Sequence, residues 1–307
     1  MRFDVCAHTY DEHAGPQRFF AERVAQFILR SGTGILPVRL RDQISNTSPD
    51  RQDACPTTIL ELGAGTGALT RWLARARSAA EQPTPYPSQE GNALSGADRS
   101  ISPAASECPG SVPLQGGARG GSAGRTEPPF LATDASPAMV QFGSLAVPQA
   151  DWAVLDAFNQ LLPVADLQVS SGLLHWTDDP VAMLQRWKIS LPPGGRMIHA
   201  MPCEPCLAEW RALVPESPVP WRSESEWLKF FEQAGLRVTR SQSWTHAAVC
   251  SSALEMVRGF HRTGVTGRVR VGPARLRQAL RDYDLRQRVP GGVKATWAWL
   301  AVEATHG

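Results

Sequence analysis

The chain has no run of about 18 apolar residues, the length that would cross a bilayer, and no basic-then-apolar leader at its start. A soluble, unexported, cytoplasmic protein with no membrane partner is expected. Cysteine is sparse: six residues, scattered at 6, 55, 108, 203, 206 and 250, do not make a disulfide framework in 307 residues. Reduced thiols fit the cytosol. Cys203-x-x-Cys206 lacks the second pair that a structural zinc site needs. It also does not open a helix after a first strand, as a redox pair would, so no metal is expected. Tyrosine is scarcer still, with three residues. What is present is a chain that is 42% hydrophobic, enough to bury one sizeable core in a single domain, 1–307.

Net charge is only +2, yet the basic residues are unevenly placed. Between Arg258 and Lys294 stand ten Arg or Lys against two acids, Asp282 and Asp284. Such a stretch attracts an acidic partner.

Ile59-Leu60-Glu61-Leu62 reads as a short buried parallel strand, and it runs straight into Gly63-Ala64-Gly65-Thr66-Gly67. Glycines there let the backbone turn tightly and approach a ligand without Cβ interference. A helix expected over 66–79 then points its free N–H groups and positive dipole end into the turn. The spacing E-x-G-x-G-x-G departs from the dinucleotide fingerprint G-x-G-x-x-G, and so points from NAD toward S-adenosylmethionine (SAM).

Two stretches, 33–56 and 82–128, are polar or Pro/Gly/Ser/Ala-rich and are read as disordered surface insertions. Gly67 and Asp134 are 67 positions apart, and removal of the 47 residues 82–128 brings them to 20. An acidic residue at that distance, at the end of the second strand, is where a nucleoside-binding α/β fold holds ribose hydroxyls. The remaining chain alternates. Helical spacing marks 3–30, then strands are expected at 58–62, 129–133, 151–155, 166–171, 196–201, 236–244 and 296–303. Helices are expected at 178–190, 223–234, 251–261 and 273–284. This is a seven-stranded, mostly parallel, doubly wound Rossmann-like α/β sheet with an antiparallel last strand.

Four segments, in this order, resemble the ordered motifs of class I SAM-dependent methyltransferases. They are Ile59–Gly67, Ala132–Met139, Leu155-Asp156-Ala157 through Leu162-Pro163, and Leu191-Pro192-Pro193-Gly194-Gly195. The resemblance implies that SAM is the cofactor and S-adenosylhomocysteine the product. It implies that Gly63, Gly65 and Gly67 wrap the methionine end while Glu61 faces the amino group. By the same resemblance Asp134 binds both ribose hydroxyls, Met139 lines the adenine, and Asp156 with the Ala157 N–H meets the adenine edge.

Other segments narrow the resemblance to the biotin-pathway malonyl-[acyl-carrier protein] O-methyltransferases. These are Phe3-Asp4 with Tyr10–Ala14 and Gln17-Arg18, Ser170–Trp176, Phe260–Thr266, and Trp297–Ala304. That likeness implies a helical lid over 1–32 and substrate-side helices within 203–290. Ser171 and His175 then stand beside the transferable methyl, and Tyr10 and Arg222 grip the acceptor. The implied acceptor is the free carboxylate of a malonyl thioester on an acyl carrier protein. Carrier proteins are acidic, and the basic stretch 258–294 would dock one through Arg262, Arg268, Arg270, Arg275 and Arg277. A related methyltransferase of another small acid or a quinone precursor is the alternative, and a degenerate, non-enzymatic binding subunit is a third. The fourth strand ends Val169-Ser170-Ser171-Gly172 rather than in the Asn/Asp-Pro-Pro-aromatic tetrad of nucleic-acid methylation, so no nucleic-acid partner is expected.

Overall fold

The first strand explains the rest of the architecture. In a computed structural model, which describes residues 3–30, 58–81, 130–264 and 270–306, strand β1 (Ile59–Leu62) is buried along its whole length. A strand buried on both faces must lie in the middle of a sheet covered by helices. The insertions expected at 33–56 and 82–128, and Arg268, lie outside the described residues.

In chain order the elements begin with helices α1 (Phe3–His13) and α2 (Gly15–Arg30) ahead of β1, followed by α3 (Ala68–Glu81). Strand β2 (Phe130–Asp134) leads to α4 (Pro137–Ala146), and β3 (Asp151–Val154) to β4 (Leu167–Ser171). A 3-10 turn (Leu174–Trp176) and α5 (Pro180–Lys188) precede β5 (Arg196–Pro202) and the short α6 (Ala208–Arg211). Helix α7 (Glu224–Gln233), strand β6 (Leu236–Cys250), helices α8 (Ala253–Arg262) and α9 (Pro273–Arg286), and strands β7 (Arg288–Val289) and β8 (Gly292–His306) complete the chain.

Among the described residues the strands form one eight-stranded sheet in the order β3-β2-β1-β4-β5-β8-β6, with β7 paired to β8. β1 to β5 run parallel, and β8 is antiparallel to both β5 and β6. The mostly parallel, doubly wound sheet with an antiparallel last strand is therefore observed. Its strand order reverses between β1 and β4, the crevice where open α/β sheets bind ligands.

Helix starts follow their sequence signals. Ser136 caps α4 and Asp179 caps α5, each accepting from a backbone N–H of the first turn with Pro at the first position. Ser223 and Glu226 form a reciprocal capping box at α7. Helix α2 buries Phe20, Val24, Phe27 and Ile28, and Phe20 stacks on Trp299 of β8 at 5.0 Å between ring centroids.

The chain departs from expectation at its C-terminal end. β6 and β8 are each fifteen residues long, not nine and eight, and β7 forms an unexpected hairpin with β8 through Pro290 and Gly291. The extensions follow from cross-strand pairs that place large rings opposite one another, Trp244 against Trp299 and His246 against Trp297. The chain also bends tightly at Gly292 (φ 144°), where a Cβ would stand 2.0 Å from the Cys250 carbonyl oxygen. Among the described residues no helix is long and apolar enough to cross a membrane.

Candidate functional site

A cavity of about 570 Å³ opens at the C-terminal ends of β1, β4 and β5, at the point where the strand order reverses. Its floor is Glu61, Gly63, Gly65 and Thr66 from the turn after β1, with Ser171, Gly172 and His175 after β4. Helices α1 and α2 cover it with Tyr10, Asp11, Gln17 and Arg18. The far wall is Trp210 and Arg211 of α6, Trp221, Phe260 of α8, Arg270, and Trp297 and Trp299 of β8.

The glycine turn is shaped by three positive φ angles, 65° at Gly63, 57° at Gly65 and 87° at Gly67. A Cβ on Gly65 would meet nothing within 4 Å, so the space above that residue is open to a ligand. Gly67 has a different role. A Cβ there would stand 3.2 Å from Trp152 and Val147, so it serves the packing of α3 against β3.

Asp134, at the end of β2, ties this turn down. Its Oδ2 accepts from the Gly65 N–H at 2.9 Å and its Oδ1 from the Ser136 N–H at 2.9 Å. Tyr10 lies close by. Burial first, and then the charges of Asp134 and Asp11, push its phenol up to about 12, so it is a proton donor at neutral pH. Thr66 Oγ1 donates to Asp11, which fastens α1 directly to the glycine turn.

Glu61 is 1% exposed, and burial raises its carboxyl to about 8 even though Thr70 Oγ1 donates to Oε2 at 2.7 Å. A cationic amino group beside it would favour the ionised form. His175 is buried on the 3-10 turn, and burial together with the Arg222 charge lowers it to about 3, so its ring is neutral. Ser170, one strand residue before Ser171, is spent in the core, where its hydroxyl bonds His199 Nδ1 at 2.8 Å.

Several expected residues stand away from the cavity wall. Met139 is buried on α4 with its N–H on Ser136 Oγ. The Asp156 carboxylate accepts from the Phe158 N–H at 3.0 Å and from Asn159 Nδ2 at 2.7 Å, which caps its own turn. The Ala157 carbonyl receives Trp187 Nε1 at 2.9 Å. Arg222 is 8% exposed and stacks over Trp227 and Phe230, at 5.0 and 5.4 Å from their centroids. Its Nη2 donates to the carbonyls of Thr177 and Asp178, and burial lowers its pKa. It therefore stands behind His175 rather than lining the cavity.

The wall supplies residues that sequence reasoning missed. Arg211 sits on a four-residue helix with no periodic signal, and Cys206 carries no sequence signal beyond its spacing from Cys203. Cys203 and Cys206 are both buried and free, joined by a Cys206 N–H to Cys203 carbonyl bond of 2.8 Å, with thiols pushed by burial to about 12.

Residues 33–241, well over half of the chain, match a family model described as a methyltransferase domain. Among solved structures, a provisionally assigned methyltransferase of Bacillus halodurans is similar at 11% identity and a TM-score of 0.50, over 87% of this chain and 97% of that one. The YcgJ protein of Bacillus subtilis is similar at 14% identity and a TM-score of 0.49, over 87% and 96%. A magnesium protoporphyrin IX methyltransferase of Synechocystis with bound SAH is similar at 11% and 0.46, over 93% and 82%. Likeness at such identities concerns the fold alone. No curated protein matches the chain.

Proposed function

The chain belongs to the methyltransferase-domain family, with SAM as its cofactor, and from that premise we propose a carboxyl O-methyltransferase acting on a malonyl thioester of an acyl carrier protein. The observation that carries the reading is the cavity itself, which joins the glycine turn to a wall of arginine and aromatic side chains. When bound, SAM supplies an electrophilic methyl on a sulfonium. Gly63, Gly65 and Asp134 would hold it, Glu61 would face its amino group, and Ser171 would stand beside it.

An ionised carboxylate needs no general base at neutral pH. That suits His175, which burial has made a weak base. Positioning and exclusion of water then supply the rate. Tyr10, kept protonated, would donate a hydrogen bond to the acceptor, and α1 would close over the pair as a lid. Arg222 would act from behind, holding the 3-10 turn that carries His175 and Trp176.

The carrier would dock on α8 and α9. Arg262, Arg277 and Arg281 are exposed there, and Phe260 and Leu276 of the same helices line the cavity, so an acidic partner bound on this face would present its arm to the site. The aromatic wall favours a second acceptor class, an aromatic acid or quinone precursor. Transfer of a labelled methyl from SAM to malonyl-carrier protein, malonyl-CoA, free malonate and an aromatic acid separates them. Label in the malonyl thioesters is expected, and its absence there would move the assignment to the second class.

A further inference from the structure

Arg211 lines the cavity, yet its guanidinium is only partly used. Nε donates to the Cys206 carbonyl at 3.0 Å, and Nη1 donates to Glu204 Oε1 at 3.2 Å. The group lies over the Trp221 ring at 4.8 Å from its centroid. Nη2 makes no hydrogen bond among the described residues, and Nη1 keeps a second N–H. The indole Nε1 of Trp221, under the same guanidinium, is buried without an acceptor. Two adjoining residues thus present unpaired donors, and buried donors in folded proteins normally find acceptors.

We propose that Arg211 and Trp221 form the carboxylate-binding subsite for the methyl acceptor. This assignment rests on the carboxylate reading above and moves the grip from Arg222, whose guanidinium is stacked away from the cavity, to Arg211. The geometry suits the task. The unpaired Nη donors bind one carboxylate oxygen with a charge-assisted hydrogen bond, and a side chain already fixed at three points loses little freedom on binding. Arg270 also lines the cavity, but it is exposed and has no such anchoring among the described residues, so it steers rather than positions. One acceptor oxygen held at Arg211 leaves the other free to act as nucleophile.

The test reads binding, separately from turnover. With the protein saturated with S-adenosylhomocysteine and its tryptophans labelled with ¹⁵N, the Trp221 indole signal is assigned by its loss in Trp221→Phe. Malonate is expected to shift that signal saturably, and the neutral malonamide is not. Arg211→Ala should weaken malonate binding by about 10- to 100-fold, with Arg211→Lys intermediate, in line with loss of a charge-assisted pair. Retained S-adenosylhomocysteine binding shows that each variant is folded at the site, and Arg211→Lys serves if Arg211→Ala is not. No shift with malonate in the wild type, or equal malonate affinity in the Arg211 variants, overturns the assignment. A protein that binds malonate through Arg211 but methylates no malonyl thioester fails only the broader substrate reading.

Discussion

The backbone N–H of Gly65 donates to Asp134 Oδ2 at 2.9 Å, across 69 positions of sequence. One carboxylate thus sets the shape of the glycine turn, and in the proposed function it would also meet the ribose of the cofactor. Turn and acid sit at the ends of neighbouring parallel strands, in register from Ile59 against Phe130 to Leu62 against Thr133.

Asp134→Ala should therefore cost twice, releasing the turn and removing the ribose acceptors. Hydrogen bonds to charged groups contribute about 1.5–3 kcal/mol each, so SAM affinity should fall about 100-fold or more. Calorimetric titration of SAM measures it. Wild-type affinity in the variant would take Asp134 out of the site.

Gly65→Ala and Gly143→Ala should separate binding from folding. At Gly65 an added Cβ meets no protein atom, and the left-handed backbone costs about 1–2 kcal/mol, so the fold survives while the methyl occupies ligand space. At Gly143 an added Cβ would lie 2.2 Å from Trp152 Cη2, and Trp152 is fixed by Nε1 on the Val147 carbonyl. Overpacking there should cost about 1–3 kcal/mol in urea denaturation. The expectation is weak SAM binding in a nearly stable Gly65→Ala and normal binding by the folded fraction of Gly143→Ala. The reverse pattern would refute the roles given to the two glycines.

The parts of this molecule written in short-range signals were readable from sequence. The E-x-G-x-G-x-G turn and the spacing of Asp134 once 82–128 is set aside are both local chemistry. The far wall of the cavity was not. Arg211 ends a helix of only four residues, and Trp221 lies in an irregular segment, so no periodicity marks either. Arg222, their neighbour in sequence, carries the same chemistry but faces the other way, into Trp227 and Phe230. Which of two nearby arginines enters a cavity is decided by long-range packing against β8 and α7, and sequence spacing carries no trace of it.

Arg222→Ala should slow methyl transfer far more than it weakens SAM binding. The substitution leaves the Thr177 and Asp178 carbonyls without their donor and uncovers two aromatic faces, a loss of about 1–3 kcal/mol of stability. The 3-10 turn then loses its support, and His175 and Trp176 shift within the cavity. Steady-state kinetics should show a fall in kcat with a SAM affinity within about threefold of wild type, and Arg222→Lys should restore part of the rate. Unchanged kcat in Arg222→Ala would remove this support role.

Glu61 gives the pH dependence its sign. Burial raises its carboxyl from 4.5 to about 8, so between those values the folded protein keeps a proton that the unfolded chain has lost. Unfolding in that window releases a proton, and stability contributed by this group falls as pH rises from about 4.5 to about 8 and then levels off. His175 and His199, lowered by burial to about 3, act in the opposite sense and cost stability as pH falls below about 6.5. Comparison of wild type with Glu61→Gln cancels the histidines. Urea midpoints from pH 5 to 9 should decline more steeply in the wild type, and parallel curves would contradict the raised value. The same proton links stability to function. An ammonium group placed beside Glu61 favours its ionised form, so SAM binding at pH 7 should release a proton in the wild type and none from this position in Glu61→Gln. Binding enthalpies in buffers of different ionisation heat read that release directly, and equal buffer dependence in the two proteins would place the amino group elsewhere.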